Sequence, residues 1–402
     1  MGAARPVSIW RLAAAGHATL LLAMGIGRFS YTPMVPPLIT SGTLSEAEAG
    51  YVGACNLAGY LAGALCIPAL RRRLAAVPML RMAILICFLG IAASAVPAGF
   101  VWLAASRFVI GVAAAWMMVL ALSIVVGSAP AATLGRATGT VFTGVGVGIA
   151  FSGIVVPTLL NMGLLYAWLG LAAVGGAATA VALWGWVAAD GPGRATPVAR
   201  RSWQAWRMPD QLRRLPVWLL LLAHAMFSIG LVAHTIYWVD YIARALGLGM
   251  DVGGFYWILV GVGALTGPMA CGWLADRVGF AVALVAIFAA LAVGVAIPVL
   301  WAVPATLALS SLIFGAQPGL SAVISGRTGQ VVGKAHMAEV WRWMVLSTAI
   351  TKAVAGYLMV WLFDLTGSYT ILFITSGVAL AFGALVSLPW PESRRSAPSE
   401  MR

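Results

Sequence analysis

Apolar blocks of about 20 residues recur along this chain, and each is long enough to cross about 30 Å of hydrocarbon as a helix. That feature leaves few folds open. A backbone in lipid must satisfy its own hydrogen bonds, which only helices and closed barrels do, and barrel strands would appear as short alternating segments. Composition agrees, with 62% of residues hydrophobic and 9% charged, against about 25% charged in soluble domains. The reading is an all-α membrane protein with twelve transmembrane helices in two pseudo-symmetric six-helix halves. The spans fall at 12–39, 49–70, 78–97, 101–127, 134–160, 164–188, 215–239, 252–274, 280–300, 305–326, 339–363 and 369–389.

The stretch between spans six and seven differs in kind. It is polar, contains Gly191-Pro192-Gly193, and carries Arg194, Arg200, Arg201, Arg207, Arg213 and Arg214. The chain therefore divides into an N-terminal half at 1–189, a basic linker at 190–214 and a C-terminal half at 215–402 with a short tail. A net charge of +13 would suit nucleic acid, but arginine-rich loops are ordinary on the cytoplasmic side of membrane proteins. With the N-terminus inside, 19 of the 24 Lys and Arg lie in cytoplasmic segments or, like Arg81 and Arg136, at the cytoplasmic ends of spans, only Arg244 lies outside, and Arg28, Arg107, Arg342 and Lys352 are the other four. The first outer loop carries Glu46 and Glu48 and no base. The expected location is the bacterial inner (plasma) membrane, with both termini cytoplasmic and the first apolar run retained as a helix rather than cleaved. Cys55, Cys66, Cys87 and Cys271 all fall in apolar blocks without metal-ligand spacing and read as packing residues.

The halves carry a weak internal repeat. With span two laid over span eight, Gly59 meets Gly263, Gly63 meets Gly267 and Arg73 meets Arg277, so both copies contain the small-residue spacing that lets helices approach closely. "GWLADRVG", from Gly272 to Gly279, resembles the loop signature of the major facilitator superfamily, and "RFVIGVAAA" from Arg107 resembles its R-x-x-x-G motif. "GIGRFSYTP" around Arg28 and "TGSYTILF" from Thr366 are similar to the YbfB/YjiJ-type branch. The resemblance covers essentially the whole chain and implies a transporter. The first-half copy of the loop signature departs from the pattern, with Arg72 where an acid is expected. In the second half, Gly272, Asp276, Arg277 and Gly279 are expected to form a gate, Asp276 pairing across the half-to-half seam in one conformation only.

Chemistry is expected where charge enters the spans. Arg28, Arg107 and Lys352 lie inside, Arg342 lies near an end, and no Asp or Glu lies deep in any span. An Arg or Lys at a helix centre costs about 2.5 to 3.5 kcal/mol to insert, so these cations need a polar, hydrated place to point. Met24, Arg28 and Tyr31 share a helical stripe with His17 on nearly the same bearing, and Trp341, Val345, Thr348, Lys352 and Gly356 form another. Pro33, Pro36 and Pro37 are expected to bend or end span one just beyond Arg28. Arg28, Tyr31, Arg107, Gln317, Trp341 and Lys352 are the candidate substrate-binding residues. Arg28 is also open to a structural reading, as a donor to neighbouring carbonyls, and Arg107 more so, because its motif is shared by transporters of different substrates. His224, His234 and Glu339 are candidates for proton coupling, Glu339 also being placed to pair with Arg342 one turn on, and the histidines also read as packing residues. Asn56 is a further mid-span amide, and Tyr237 and Trp238 are candidate cavity aromatics.

No nucleophile–base pair, metal cluster or dinucleotide fingerprint appears, so no enzymatic activity, cofactor or metal is expected. The leading expectation is a monomeric secondary active transporter of a small organic anion, working by alternating access as an exchanger or with protons. The alternative is an efflux pump for amphiphilic drugs or toxic compounds. A non-transporting sensor is a third class, without an appended soluble domain to favour it. The partners are then the lipid bilayer and a small molecule, with no nucleic acid.

Overall fold

The computed structural model describes residues 8–130, 132–187 and 210–388. Most of the expected linker and both chain ends lie outside those residues. Among the described residues, eleven helices are long and apolar enough to span a membrane, and a bent pair brings the number up to twelve. They are α1 (Ile9–Thr40), α2 (Glu46–Arg71), α3 (Ala76–Ala93), α4 (Gly99–Ser128), α5 (Leu134–Leu160), α6 (Leu164–Val187), α7 (Leu215–Ala245), α8 (Gly249–Val278), α9 (Phe280–Leu300), α10 (Pro304–Gly315 and Gln317–Val332), α11 (Lys334–Thr366) and α12 (Tyr369–Val386).

Two expectations about helix shape are corrected. Span ten, expected as one helix at 305–326, is a broken pair meeting at 42°, with Ala316 at the break and Pro318 in the first turn of the second segment. Nor do the prolines of span one end it just beyond Arg28. Pro33 falls in the first turn of Tyr31–Thr40, where a backbone N–H has no partner to lose, and the helix continues through Pro36 and Pro37. The irregularity lies before them, where Leu21–Phe29 is wound as a π-helix that closes through Ser30 N–H donating to the Gly25 carbonyl at 3.1 Å.

Glycines set how the helices pack. A Cβ on Gly59 would overlap the Phe108 carbonyl oxygen, and one on Gly63 would sit 2.5 Å from that of Val112, so α2 lies directly on α4. The matched pair does the same for α8 on α10. A Cβ on Gly263 would overlap the Leu312 carbonyl oxygen, and one on Gly267 would overlap the Ala316 Cα. The sequence repeat is thus a repeat of packing: the second helix of each six closes on the fourth.

The basic end of the bundle carries Arg71, Arg72, Arg73, Arg136 and Arg277, and the opposite, far end carries the turn between α1 and α2. Between the first six helices and the last six, contacts run from mid-level to the far end. Gly146 of α5 meets Gly261 of α8, and Gly153 meets Gly254. Trp257 donates its indole N–H to the Ser152 hydroxyl at 3.1 Å, and Gly356 of α11 packs on Leu57 of α2. Toward the basic end, Gly139 of α5 and Gly272 of α8 have open space where a side chain would project. These contacts close the seam from mid-level to the far end.

Candidate functional site

The π-helical stretch of α1 places Arg28. Widening the turn displaces carbonyls from their usual partners, and such stretches recur at functional sites. Arg107 of α4 donates Nη2 to the Arg28 carbonyl at 3.1 Å. The Arg107 guanidinium also lies over the Tyr31 ring, 5.0 Å from its centroid, while Asn56 of α2 donates to the Arg107 carbonyl at 3.0 Å. Tyr31 donates its hydroxyl to the Ala49 carbonyl at 2.8 Å. Arg107 and Tyr31 are thus tied into the protein, whereas Arg28 donates no hydrogen bond among the described residues and has only the Phe29 ring, 5.4 Å away.

Arg28 ends a half-buried stripe on α1 of Ala14, His17, Leu21 and Met24 that climbs from the basic end. His17 is fixed on that wall by the Thr143 hydroxyl of α5, 2.9 Å from Nδ1. The facing stripe of α11, Trp341, Val345, Thr348 and Lys352, is likewise half-buried. Lys352 lies within charge–charge range of Arg28 and of His224. Tyr60 of α2, for which the sequence carried no signal, lies within the same range of Arg28. His224 stacks on Trp341 with centroids 5.6 Å apart, and its buried Nδ1 has no partner. Arg28, Lys352 and His224 are therefore linked by charge–charge range, with Trp341 stacked on His224, and no carboxylate among the described residues joins them. Gln317 stands apart from that group at the break in α10, half-buried.

Other candidates lie elsewhere. His234 is fully enclosed in the last six helices, with Nε2 2.8 Å from the Ser310 hydroxyl and its ring stacked on Trp238 and Phe314 at 4.4 and 4.6 Å. Tyr237 and Trp238 do not line an opening either; both are completely buried, because the outer part of α7 packs on every side. Glu339 is exposed at the basic end of α11. Asp276 is exposed and makes no ion pair or side-chain hydrogen bond among the described residues. Its neighbour Arg277 stacks on Trp273 at 4.1 Å. Gly279, at φ +83°, supplies the left-handed turn that ends α8, but Gly272 is inside the helix rather than in the turn.

The far end holds a charge network. Asp240 of α7 is completely buried and accepts from the Tyr369 hydroxyl at 2.5 Å and from Arg244 Nη1 at 3.2 Å. Arg244, in a second π-helical turn, also donates through Nη2 to Glu46 at the start of α2. Beside it, the Thr32 hydroxyl of α1 donates to the Thr235 carbonyl of α7. The acid, the base and their i, i+4 spacing are visible in the sequence, and that spacing is the signal for the pair. Glu46 and Tyr369 as partners have no local signal.

A family model described as "uncharacterised MFS-type transporter YbfB" matches residues 20–388. No curated protein matches the chain. Among solved structures, a D-xylose-proton symporter superimposes with a TM-score of 0.74 at 16% identity, covering 95% of this chain and 98% of that one. A point mutant of the nucleoside transporter NupG gives 0.73 at 12% identity, covering 94% and 100%. A bacterial homolog of the human lysosomal transporter Spinster, in an inward-facing and unoccupied conformation, gives 0.67 at 16%, covering 94% and 95%. At these identities the likeness is one of fold.

Proposed function

The chain belongs to the YbfB-type family of major facilitator transporters, and from that premise we propose that it is a secondary active transporter of a small organic anion. The observation that carries this reading is that Arg28 and Lys352, one from each set of six helices, lie within charge–charge range of one another with no carboxylate acting on either among the described residues. Two cations with no internal counter-charge suit a substrate that brings its own. Fold neighbours whose names specify a sugar or a nucleoside leave the class of this chain's substrate to its own residues.

In this reading Arg28 and Lys352 hold the anionic group, Trp341 and His224 flank its body, and Arg107 with Tyr31 holds the Arg28 backbone in place. Gln317 is a polar contact in the C-terminal half, at the hinge of α10. The domain division is 1–189 and 215–402 about the linker, and the halves rock around the site. The arrangement described above is then the inward-open one: charge bias makes the basic end cytoplasmic, with both termini inside and the protein in the inner membrane as a monomer. Asp276, with Arg277 and the turn at Gly279, closes the cytoplasmic side in the other conformation. Enclosure of His234 leaves His224, which faces Lys352, as the better histidine for coupling; Glu339 lies at the cytoplasmic mouth.

A thermal-shift screen of purified protein against matched anionic, neutral and cationic metabolites tests the substrate class. Stabilisation by anions is expected, and stabilisation by cations alone would contradict it. Orientation is tested in whole cells with a cysteine placed at Arg200. An impermeant external reagent should not reach it, and labelling without permeabilisation would reverse the topology.

A further inference from the structure

Arg28 also lines a small, partly open cavity. Arg28, Tyr31, Asn56 and Arg107 line it from the first six helices, and Thr235 and Ile236 close it from α7. Its volume of about 10 Å³ is what one water-sized particle needs. Arg107 is 1% exposed and Arg28 8%. The Nε of each is buried without a hydrogen-bond partner. The Tyr31 hydroxyl is committed to Ala49, and the Thr235 hydroxyl to the Leu231 carbonyl at 2.7 Å, so the open donors are guanidinium N–H groups. No Asp or Glu lines the cavity, and the completely buried Asp240 is engaged by Tyr369 and Arg244.

Two guanidiniums buried side by side repel one another and lose hydration, and both effects act in the same direction. Arginine does not relieve them by giving up its proton. The remaining relief is an anion, and the size of the cavity selects one without a tail. We propose that this pocket binds a chloride ion, which neutralises the Arg28–Arg107 pair and lies where the two sets of helices meet. Thr235 and Ile236 complete the wall only while the far end is sealed, so chloride favours that arrangement. Lys352 is not part of the lining, but Arg28 is shared with the proposed organic-anion site, so the two sites adjoin at that guanidinium.

The test is thermal unfolding of the purified full-length protein at constant ionic strength, replacing sodium gluconate by sodium chloride, bromide, formate or sulfate. Chloride and bromide should raise Tm saturably, and sulfate should act as gluconate does. Arg107→Gln should weaken the apparent chloride affinity at least tenfold, and Lys352→Gln, which is outside the lining, should weaken it far less. Because Arg107→Gln also removes a bond to the Arg28 carbonyl, crystals of the parent protein grown in bromide provide the second measurement. Their anomalous signal should lie between Arg28 and Arg107. Equal Tm in chloride and gluconate, or an equal rise with sulfate, would overturn the proposal. A rise with formate but not with halides would also overturn it and assign the pocket to a substrate's carboxylate.

Discussion

The far end and the centre of the molecule handle charge in opposite ways. At the far end the charges that join the halves are matched: Glu46 from α2 and Asp240 from α7 share Arg244, and Tyr369 completes the carboxylate's shell. At the centre, Arg28 and Lys352 lie within charge–charge range of one another with no acid acting on either, and Arg28 donates to nothing in the protein among the described residues. The backbone follows the same division. Glycines close the far seam to backbone contact, while Gly139 and Gly272 toward the basic end stand in open space. Complete charge pairs and glycine contacts make an interface that holds itself together. Incomplete ones mark where a ligand supplies the missing charge.

The largest effect should come from blocking the glycine seam. A Cβ on Gly261 would lie 2.7 Å from both the Ala150 nitrogen and the Gly146 carbonyl oxygen. Backbone atoms cannot step aside, so Gly261→Leu should hold the far end apart and reduce transport in proteoliposomes to near background. A cysteine replacing Ile236 should then become reactive from the far side. Normal flux with a protected cysteine would mean that the seam does not close as described.

The charge network separates a buried partner from an exposed one. Arg244→Gln leaves the buried Asp240 with Tyr369 alone, and losing one partner of a buried pair costs about 3–5 kcal/mol. Glu46→Gln removes only a half-exposed partner of that arginine, so about 1 kcal/mol or less is expected. Denaturation of the two variants measures the contrast; equal losses would remove the distinction between the two carboxylates. A smaller effect still is expected at the open end, where Asp276 has no partner among the described residues in this arrangement. Asp276→Asn should lower turnover a few-fold with substrate affinity nearly unchanged, as judged from transport kinetics and cytoplasmic accessibility. No change in either would deny it a part in closure.

Much of the architecture is legible in the chain because hydrophobic length speaks directly to a bilayer. The helices themselves, the matched glycine pairs at Gly59/Gly63 and Gly263/Gly267, and the transporter family can all be read there. The misreadings come from local rules meeting tertiary context. Pro33 suggests a bend because proline lacks an N–H, but a first-turn position makes that loss harmless. No rule of spacing forecasts a π-helix at Leu21–Phe29, nor that Arg107 reaches the Arg28 carbonyl from another helix. The histidines of α7 look equivalent in sequence, and only packing separates enclosed His234 from His224, which faces Lys352. Asp240 looks peripheral by its place near a helix end. Burial by α12 and Arg244 makes it part of the core.

The central claim is that one cation from each half grips the same anion. It is tested most directly by equilibrium binding of an anion found in the metabolite screen to the parent protein, Arg28→Gln and Lys352→Gln. Losing one partner of a desolvated charge pair costs about 2–5 kcal/mol, so each variant should bind at least about tenfold more weakly while expressing near normally. Arg28→Lys should recover only part of the loss, because an ammonium cannot offer a carboxylate two parallel bonds. If both neutral variants bind the anion as tightly as the parent, the cations at the seam are structural and the organic-anion reading is wrong.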